Sequence, residues 1–211
     1  MNVGSTGILF PYTLGALAYI KHVIKPANYT LTGISGGAWC SVLYHFEPNI
    51  DNPSMLWSIL VGDQDTKINL LSRKSMQGLQ ETAAANFKAR YKTANVTDIP
   101  ISIVTTKISR GFKNTKISKF DDIDDLINFC LCSSYIPFIS GNGPYMKYKG
   151  NLYIDGEVKR DKCIGNCINS KIWGRKYNLK QRIFLDLHSV ESLFEDGWND
   201  ATKYAASYLF K

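Results

Sequence analysis

Tyr29–Phe46, YTLTGISGGAWCSVLYHF, decides how the rest of the chain is read. Its first half is a short β-rich run, and its second half, from Gly36, reads as a buried apolar helix that stops before Pro48. Between them stands Gly33-Ile34-Ser35-Gly36-Gly37, which fits G-x-S-x-G, the pattern of a nucleophile elbow. The chemistry needs serine on a sharp strand-to-helix turn, and small neighbours let that strained turn close without clashes. The turn also sets the hydroxyl at a helix N-terminus, where developing negative charge is favoured. Three fixed positions are a weak signal alone. The strand before and the helix after supply the context the motif requires. The competing reading of Ser35 is a plain helix N-cap after a glycine turn.

On the N-terminal side, the opening NVGSTGILFPYTLGALAYIKHVI predicts a very short strand, a glycine-bearing turn and an apolar helix over about Tyr12–Val23, ended before Pro26. The turn Gly4-Ser5-Thr6-Gly7 lies between strand and helix, so its backbone N–H groups can point at an anion, as an oxyanion hole requires. Phosphate binding is the alternative, but neither G-x-x-x-x-G-K-[ST] nor G-x-G-x-x-G is satisfied. The apolar stretch Ile8–Ile20 is broken by Pro11 and preceded by no basic region, so a signal peptide is not expected.

On the C-terminal side, residues 53–93 read as amphipathic helices, and DIPISIVTTKI is a strong strand. Lys107, Arg110, Lys113, Lys116 and Lys119 follow one another without an acidic residue, which reads as a hairpin or loop. FDDIDDLINFCLCSS is a helix with aspartates crowded at its first turn. NLYIDGEV and QRIFLDLHSV read as strands, and GWNDATKYAASYLF as a closing amphipathic helix. Alternating strands and helices, with no linker or repeat, predict one α/β domain over residues 1–211 with a mainly parallel central sheet and helices on both faces. Asp155 ends its strand and precedes Gly156, where a carboxylate can activate a serine within hydrogen-bond reach; lone Asp-Gly pairs are more often plain turns.

Composition narrows the class. Hydrophobic residues make up 45% and charged residues 20%, which excludes a disordered chain. The net charge of +7 and pI of about 9.1 suit an anionic partner. Spaced cations beside Phe112 and Phe120, both expected to be exposed, suit an anionic membrane surface reached by Lys107, Arg110 and Lys113; a solvated hairpin is the plainer reading. Nucleic acid is disfavoured because no recognised binding motif is present. Five cysteines, Cys40, Cys130, Cys132, Cys163 and Cys167, read as reduced thiols of an intracellular protein, cytoplasmic or at a membrane periphery. Cys163-x3-Cys167 lacks a second pair of ligand spacing, so no metal is expected.

The order of these pieces resembles the patatin-like phospholipase family over most of the chain. GISGGA resembles the family's elbow, CSSYIPF the segment ahead of its catalytic aspartate, GNLYIDGEV the aspartate strand, and GWNDATKYA the closing helix. The resemblance implies a three-layer α/β fold and a lipid acyl hydrolase acting through an acyl-serine. Ser35 would be nucleophile and Asp155 its base, with Gly7 and the neighbouring backbone of Thr6 and Ile8 binding the oxyanion. It implies phospholipid, lysophospholipid or neutral glycerolipid substrates and no cofactor or metal. The chain departs from the family pattern in three places. Ser5, Thr6, Leu9 and Phe10 replace a glycine-rich and basic loop, the first strand shrinks to Met1–Val3, and Glu157 follows Asp155-Gly156. Residues 50–95 would form a cap, with Trp57, Leu60, Leu70, Leu71 and Met76 as acyl contacts or ordinary core. A Ser35, Asp155, His188 triad, a pseudoenzyme and a non-catalytic lipid-binding module are the rival readings.

Overall fold

The strand expected in DIPISIVTTKI forms as β4 (Ile101–Ile108), the axis of the sheet. The computed structural model describes residues 1–63, 65–159, 167–178, 181 and 183–209. Ile103 and Thr105 point to one face of β4, Val104 and Thr106 to the other, and all four are buried. Both faces are therefore covered at the centre, the setting in which β-branched runs are favoured.

Among the described residues the sheet has seven strands, in the order β6-β7-β4-β2-β1-β8 with β5 off this path on β4. These are β1 (Asn2–Val3), β2 (Leu31–Ile34), β5 (Phe112–Ile117), β6 (Met146–Tyr148), β7 (Asn151–Ile154) and β8 (Cys167–Ile168). Pairings among β8, β1, β2 and β4 are parallel, and those of β5, β6 and β7 are antiparallel, so the sheet is mixed. Separately, β3 (Ile68–Asn69) pairs antiparallel with β9 (Phe184–Leu185).

The registers on β4 position the site. β5 pairs with Ile103–Ile108 and takes one edge of β4. On the opposite edge β2 pairs with Ile101–Val104 and β7 with Thr106–Ile108. The C-terminal ends of β2 and β7 therefore meet end to end beside Thr105, and Ser35 and Asp155 are the residues that follow them. The β4–β5 hairpin is one of the two expected forms of the basic run, the other being a loop. Its turn lies about six residues past Val104, roughly 20 Å beyond the level of Ser35.

Among the described residues six helices surround the sheet: α1 (Phe10–Tyr19), α2 (Gly36–Phe46), α3 (Pro53–Val61), α4 (Arg73–Arg90), α5 (Ile123–Ser133) and α6 (Leu187–Leu209). α2 lies so close on the sheet that a Cβ at Gly37 would collide with the carbonyl of Val3. A 3-10 turn over Gly7–Leu9 leads into α1, and a π turn over Ile20–Ile24 prolongs it. The 18 residues Gly7–Ile24 are long and apolar enough to cross a membrane, yet 61% of them are buried within the fold. Their cover is α6. A Cβ at Gly15 would strike the Phe194 carbonyl and one at Gly197 the Tyr12 carbonyl, so the two backbones nearly touch. Tyr12 Oη donates to Asp200 (2.8 Å), and Arg175 holds Asp200 by two bonds (2.6 and 2.7 Å) and Asp196 by one (2.9 Å).

Several expectations need correction. QRIFLDLHSV is mostly not a strand: Asp186 accepts from the Ser189 N–H (2.9 Å), caps α6 and ends the extended run. His188 therefore sits in the first turn of α6. The two-residue β1 is flanked by β2 and β8 on its two edges. Phe112 is 54% exposed, but Phe120 is buried against Phe129. Cys40, Cys130 and Cys132 are buried free thiols, Cys167 is buried, and Cys163 lies outside the described residues.

Candidate active site

Ser35 ends β2 with φ 54° and ψ −127°, a strained conformation for a residue with a Cβ. It occupies the N-cap position of α2, but its side chain caps nothing. Instead Ser35 Oγ donates to Asp155 Oδ2 at 2.6 Å. The hydroxyl is thus engaged by a carboxylate and does not cap the helix. No histidine stands between them. Among the described residues, His45 bonds to Tyr29, His22 lies 3.9 Å from Asp51, and His188 is in α6.

Asp155 is 7% exposed. Burial pushes its pKa above the ordinary carboxylate value, the Ser35 hydroxyl and the Glu157 N–H pull it back, and the Glu157 charge adds a smaller rise. Asp155 must be ionised to take a proton from Ser35. Turnover of a soluble ester is therefore expected to fall with acidification at a pH above the ordinary aspartate pKa of about 3.9. An acid limb below that value in a kcat/KM profile would contradict the assignment.

A third segment holds the two loops in register. Ser133, at the end of α5, accepts the Ser35 N–H on its hydroxyl (2.8 Å) and donates that hydroxyl to the Val104 carbonyl (2.6 Å). Its own carbonyl accepts the Gly156 N–H (2.9 Å), and the Tyr135 carbonyl accepts the Asp155 N–H (2.8 Å). One fully buried residue thus binds the elbow, the central strand and the aspartate loop. Ser133→Ala leaves the strained Ser35 amide unpaired, which costs about 1–3 kcal/mol and loosens the dyad. Expected are a drop in kcat of about tenfold or more with KM little changed, and partial rescue by Ser133→Thr. A loss of melting temperature with kcat intact would make the residue structural only.

The expected oxyanion residues come to the same place. A Cβ at Gly36 would lie 2.5 Å from Thr6 Oγ1 and 3.5 Å from the Gly7 nitrogen, so the glycine turn stands directly over the elbow. Gly7 and Ile8 open the 3-10 turn, where N–H groups have no partner within the helix. Gly7 also lines a cavity of about 80 Å³ that contains Ser35, Gly36, Phe10, Trp39, Leu43 and Ala83. Leu60, Leu70 and Met76 line it as expected. Trp57 and Leu71 do not: Trp57 is wholly buried core, and Leu71 is 74% exposed. The polar groups of the wall are mostly satisfied internally, with Trp39 Nε1 on Ser134 Oγ (3.1 Å) and Gln80 Nε2 on the Ser134 carbonyl (2.9 Å). Burial pushes the Cys40 thiol in this wall far up, so it is no competing nucleophile.

Lys107, Arg110 and Lys113 lie apart from the dyad on the β4–β5 hairpin. Lys107 and Lys113 stand directly opposite one another in the ladder, a like-charge pair that costs stability unless an anion answers it. No protein-family model matches the chain, and neither does any curated protein sequence.

Proposed function

We propose that this chain is a lipid acyl hydrolase of the patatin-like type, with a three-layer α/β architecture and a Ser35–Asp155 dyad. The 2.6 Å bond between a strained serine and a buried aspartate carries the reading. In the proposed reaction Ser35 Oγ attacks the ester carbonyl carbon while its proton passes to Asp155 Oδ2. The carbonyl oxygen becomes an oxyanion facing the backbone N–H groups of Gly7 and its neighbours Thr6 and Ile8. As the carbon–oxygen bond to the alcohol breaks, Asp155 returns the proton to the leaving oxygen. Asp155 then takes a proton from water, whose oxygen attacks the acyl-serine, and hands it to Ser35 Oγ as the fatty acid departs. The apolar cavity beside Ser35 suits the acyl chain, and no cofactor is called for.

The test is fatty-acid release from mixed phospholipid and lysophospholipid vesicles by wild type, Ser35→Ala and Asp155→Ala. Turnover that both substitutions remove supports the dyad. No turnover on vesicles or short soluble esters, with Ser35 unreactive to a fluorophosphonate, would overturn it.

The opposed Lys107–Lys113 pair and the exposed Phe112 favour peripheral contact with an anionic membrane, and are what a non-catalytic binding module would also need. Binding to phosphatidylserine vesicles is expected to weaken at high salt and on reversing the charge of Lys107, Arg110 and Lys113 together. Salt-independent binding would remove this partner. Binding without turnover would favour the module.

A further inference from the structure

Thr6 stands on the turn over the elbow, and its hydroxyl has no part in the backbone contacts described so far. The residue is 7% exposed, and its Oγ1 is buried without a hydrogen-bond partner among the described residues. It occupies the N-cap position of the 3-10 turn, where a threonine hydroxyl ordinarily accepts a helix N–H, yet it caps nothing. A hydroxyl buried without a partner costs folding free energy and calls for a reason. Resting on the hydrolase reading above, we infer that the Thr6 hydroxyl is itself an oxyanion donor. Unpartnered in the free protein, it donates its hydrogen bond to the ester oxygen as that oxygen becomes negative.

Position carries the assignment. The heavy atom nearest to a Cβ placed on Gly36 is Thr6 Oγ1, at 2.5 Å, and the Gly7 nitrogen lies at 3.5 Å. Gly36 follows the nucleophile, lines the cavity that holds Ser35 and opens α2, where its N–H has no partner within the helix. In a nucleophile elbow that N–H is one donor of the oxyanion hole, and a loop from another strand supplies the rest. The Thr6 hydroxyl and the Gly7 N–H lie together against it. The Thr6 carbonyl does not contest the place, since it accepts the Leu9 N–H at 3.0 Å. Glycine at position 36 has its reason in the same contact, because any Cβ there would occupy the space in front of the hydroxyl.

The chemistry differs from that of a glycine-rich loop, which offers backbone N–H groups only. A threonine adds a rotatable O–H that keeps its own proton throughout. The carbonyl oxygen of an ester is a weak acceptor and the oxyanion a strong one, so the bond tightens as the tetrahedral intermediate forms. Such a contact raises kcat more than it lowers KM. Thr13, Thr105 and Thr106 also bury unpartnered hydroxyls, but they lie within α1 and β4; of the four, Thr6 is the one that meets Gly36.

Thr6→Val keeps the branched shape and removes the hydroxyl. On p-nitrophenyl butyrate it is expected to lower kcat about 10²-fold with KM little changed. Inhibition by an alkyl trifluoromethyl ketone, whose hemiketal with Ser35 carries the same oxyanion, should weaken by a similar factor. Thr6→Ser, which restores a hydroxyl, is expected to recover most of both. The acid limb set by Asp155 should stay at the same pH in both variants, and the melting temperature of Thr6→Val should not fall, since an unsatisfied polar group leaves the interior. Thr13→Val is the control: it deletes a buried unpartnered hydroxyl from α1 and is expected to leave kcat unchanged. An unchanged kcat in Thr6→Val, or equal losses in Thr6→Val and Thr6→Ser, with wild type active, would overturn the inference and leave the dyad standing. Absence of turnover by wild type, with Ser35 unlabelled by a fluorophosphonate, would remove the reaction and this donor together.

Discussion

Asp155→Asn is expected to lower acyl turnover by about 10²–10⁴-fold while making the folded protein more stable. The two signs have one cause. Burial disfavours the Asp155 carboxylate, and in the proposed reaction that same carboxylate is the base for Ser35. The asparagine amide keeps the shape and can still pair with Ser35 and the Glu157 N–H, but it cannot accept the serine proton. Since folding raises the Asp155 pKa, its ionised form costs stability above that raised value, and the cost vanishes as pH falls through it. The gain from Asp155→Asn is therefore expected near neutral pH, as a melting temperature a few degrees higher, and to shrink towards acid. Thermal melts at several pH values beside single-turnover assays check both signs. A variant less stable than wild type at neutral pH would mean that the carboxylate is better paired than its burial implies.

Gly197→Ala is expected to be the most damaging small substitution in the chain. In a helix the change from glycine to alanine gains roughly 1 kcal/mol of propensity. Here the new methyl would be driven into the Tyr12 carbonyl, and because Gly15 makes the reciprocal approach to Phe194, neither helix can retreat locally. Overpacking of this kind costs about 3 kcal/mol, the upper end of the usual range because backbone is struck, so the clash wins. For a chain of this size that lowers the melting temperature by about 10 °C. Gly78→Ala, in α4, is the opposite case: a Cβ there meets nothing within 4 Å, so only the propensity gain remains and the variant should melt slightly higher. Equal effects of the two substitutions would mean that α1 and α6 can slide apart at little cost.

Much of the site was legible because its signals are local. The elbow needs glycine, serine and glycine within five residues, and Asp155 closes a strand of ordinary alternation, so both stood out in the chain. The β4–β5 hairpin was legible because a β-branched run followed by spaced lysines has few other solutions. What brings Ser35 and Asp155 together was not legible: β2 and β7 share one edge of β4 end to end, and that is a matter of register between distant strands. Ser133 was equally hidden, since a serine at the end of an apolar helix announces no partner. The acyl contacts divided for a similar reason. Helical spacing marked Trp57 and Leu60 alike as apolar, but only the packing of α3 against its neighbours turned one into the core and left the other at the cavity. The run QRIFLDLHSV misled because its strand pattern overlapped the capping aspartate of α6.

The tie between Tyr12 and Asp200 spans 188 residues of chain. During synthesis at about 5–20 residues per second, the helix carrying Tyr12 leaves the ribosome roughly 10–40 s before the helix that sheathes it. For that interval an 18-residue apolar segment, Gly7–Ile24, stands uncovered and matches the requirements of a membrane insert. Chaperones and insertion machinery thus compete with folding for the same segment. Release of the nascent chain short of Asp200 would leave it permanently bare, a substrate for quality control and not a smaller folded domain.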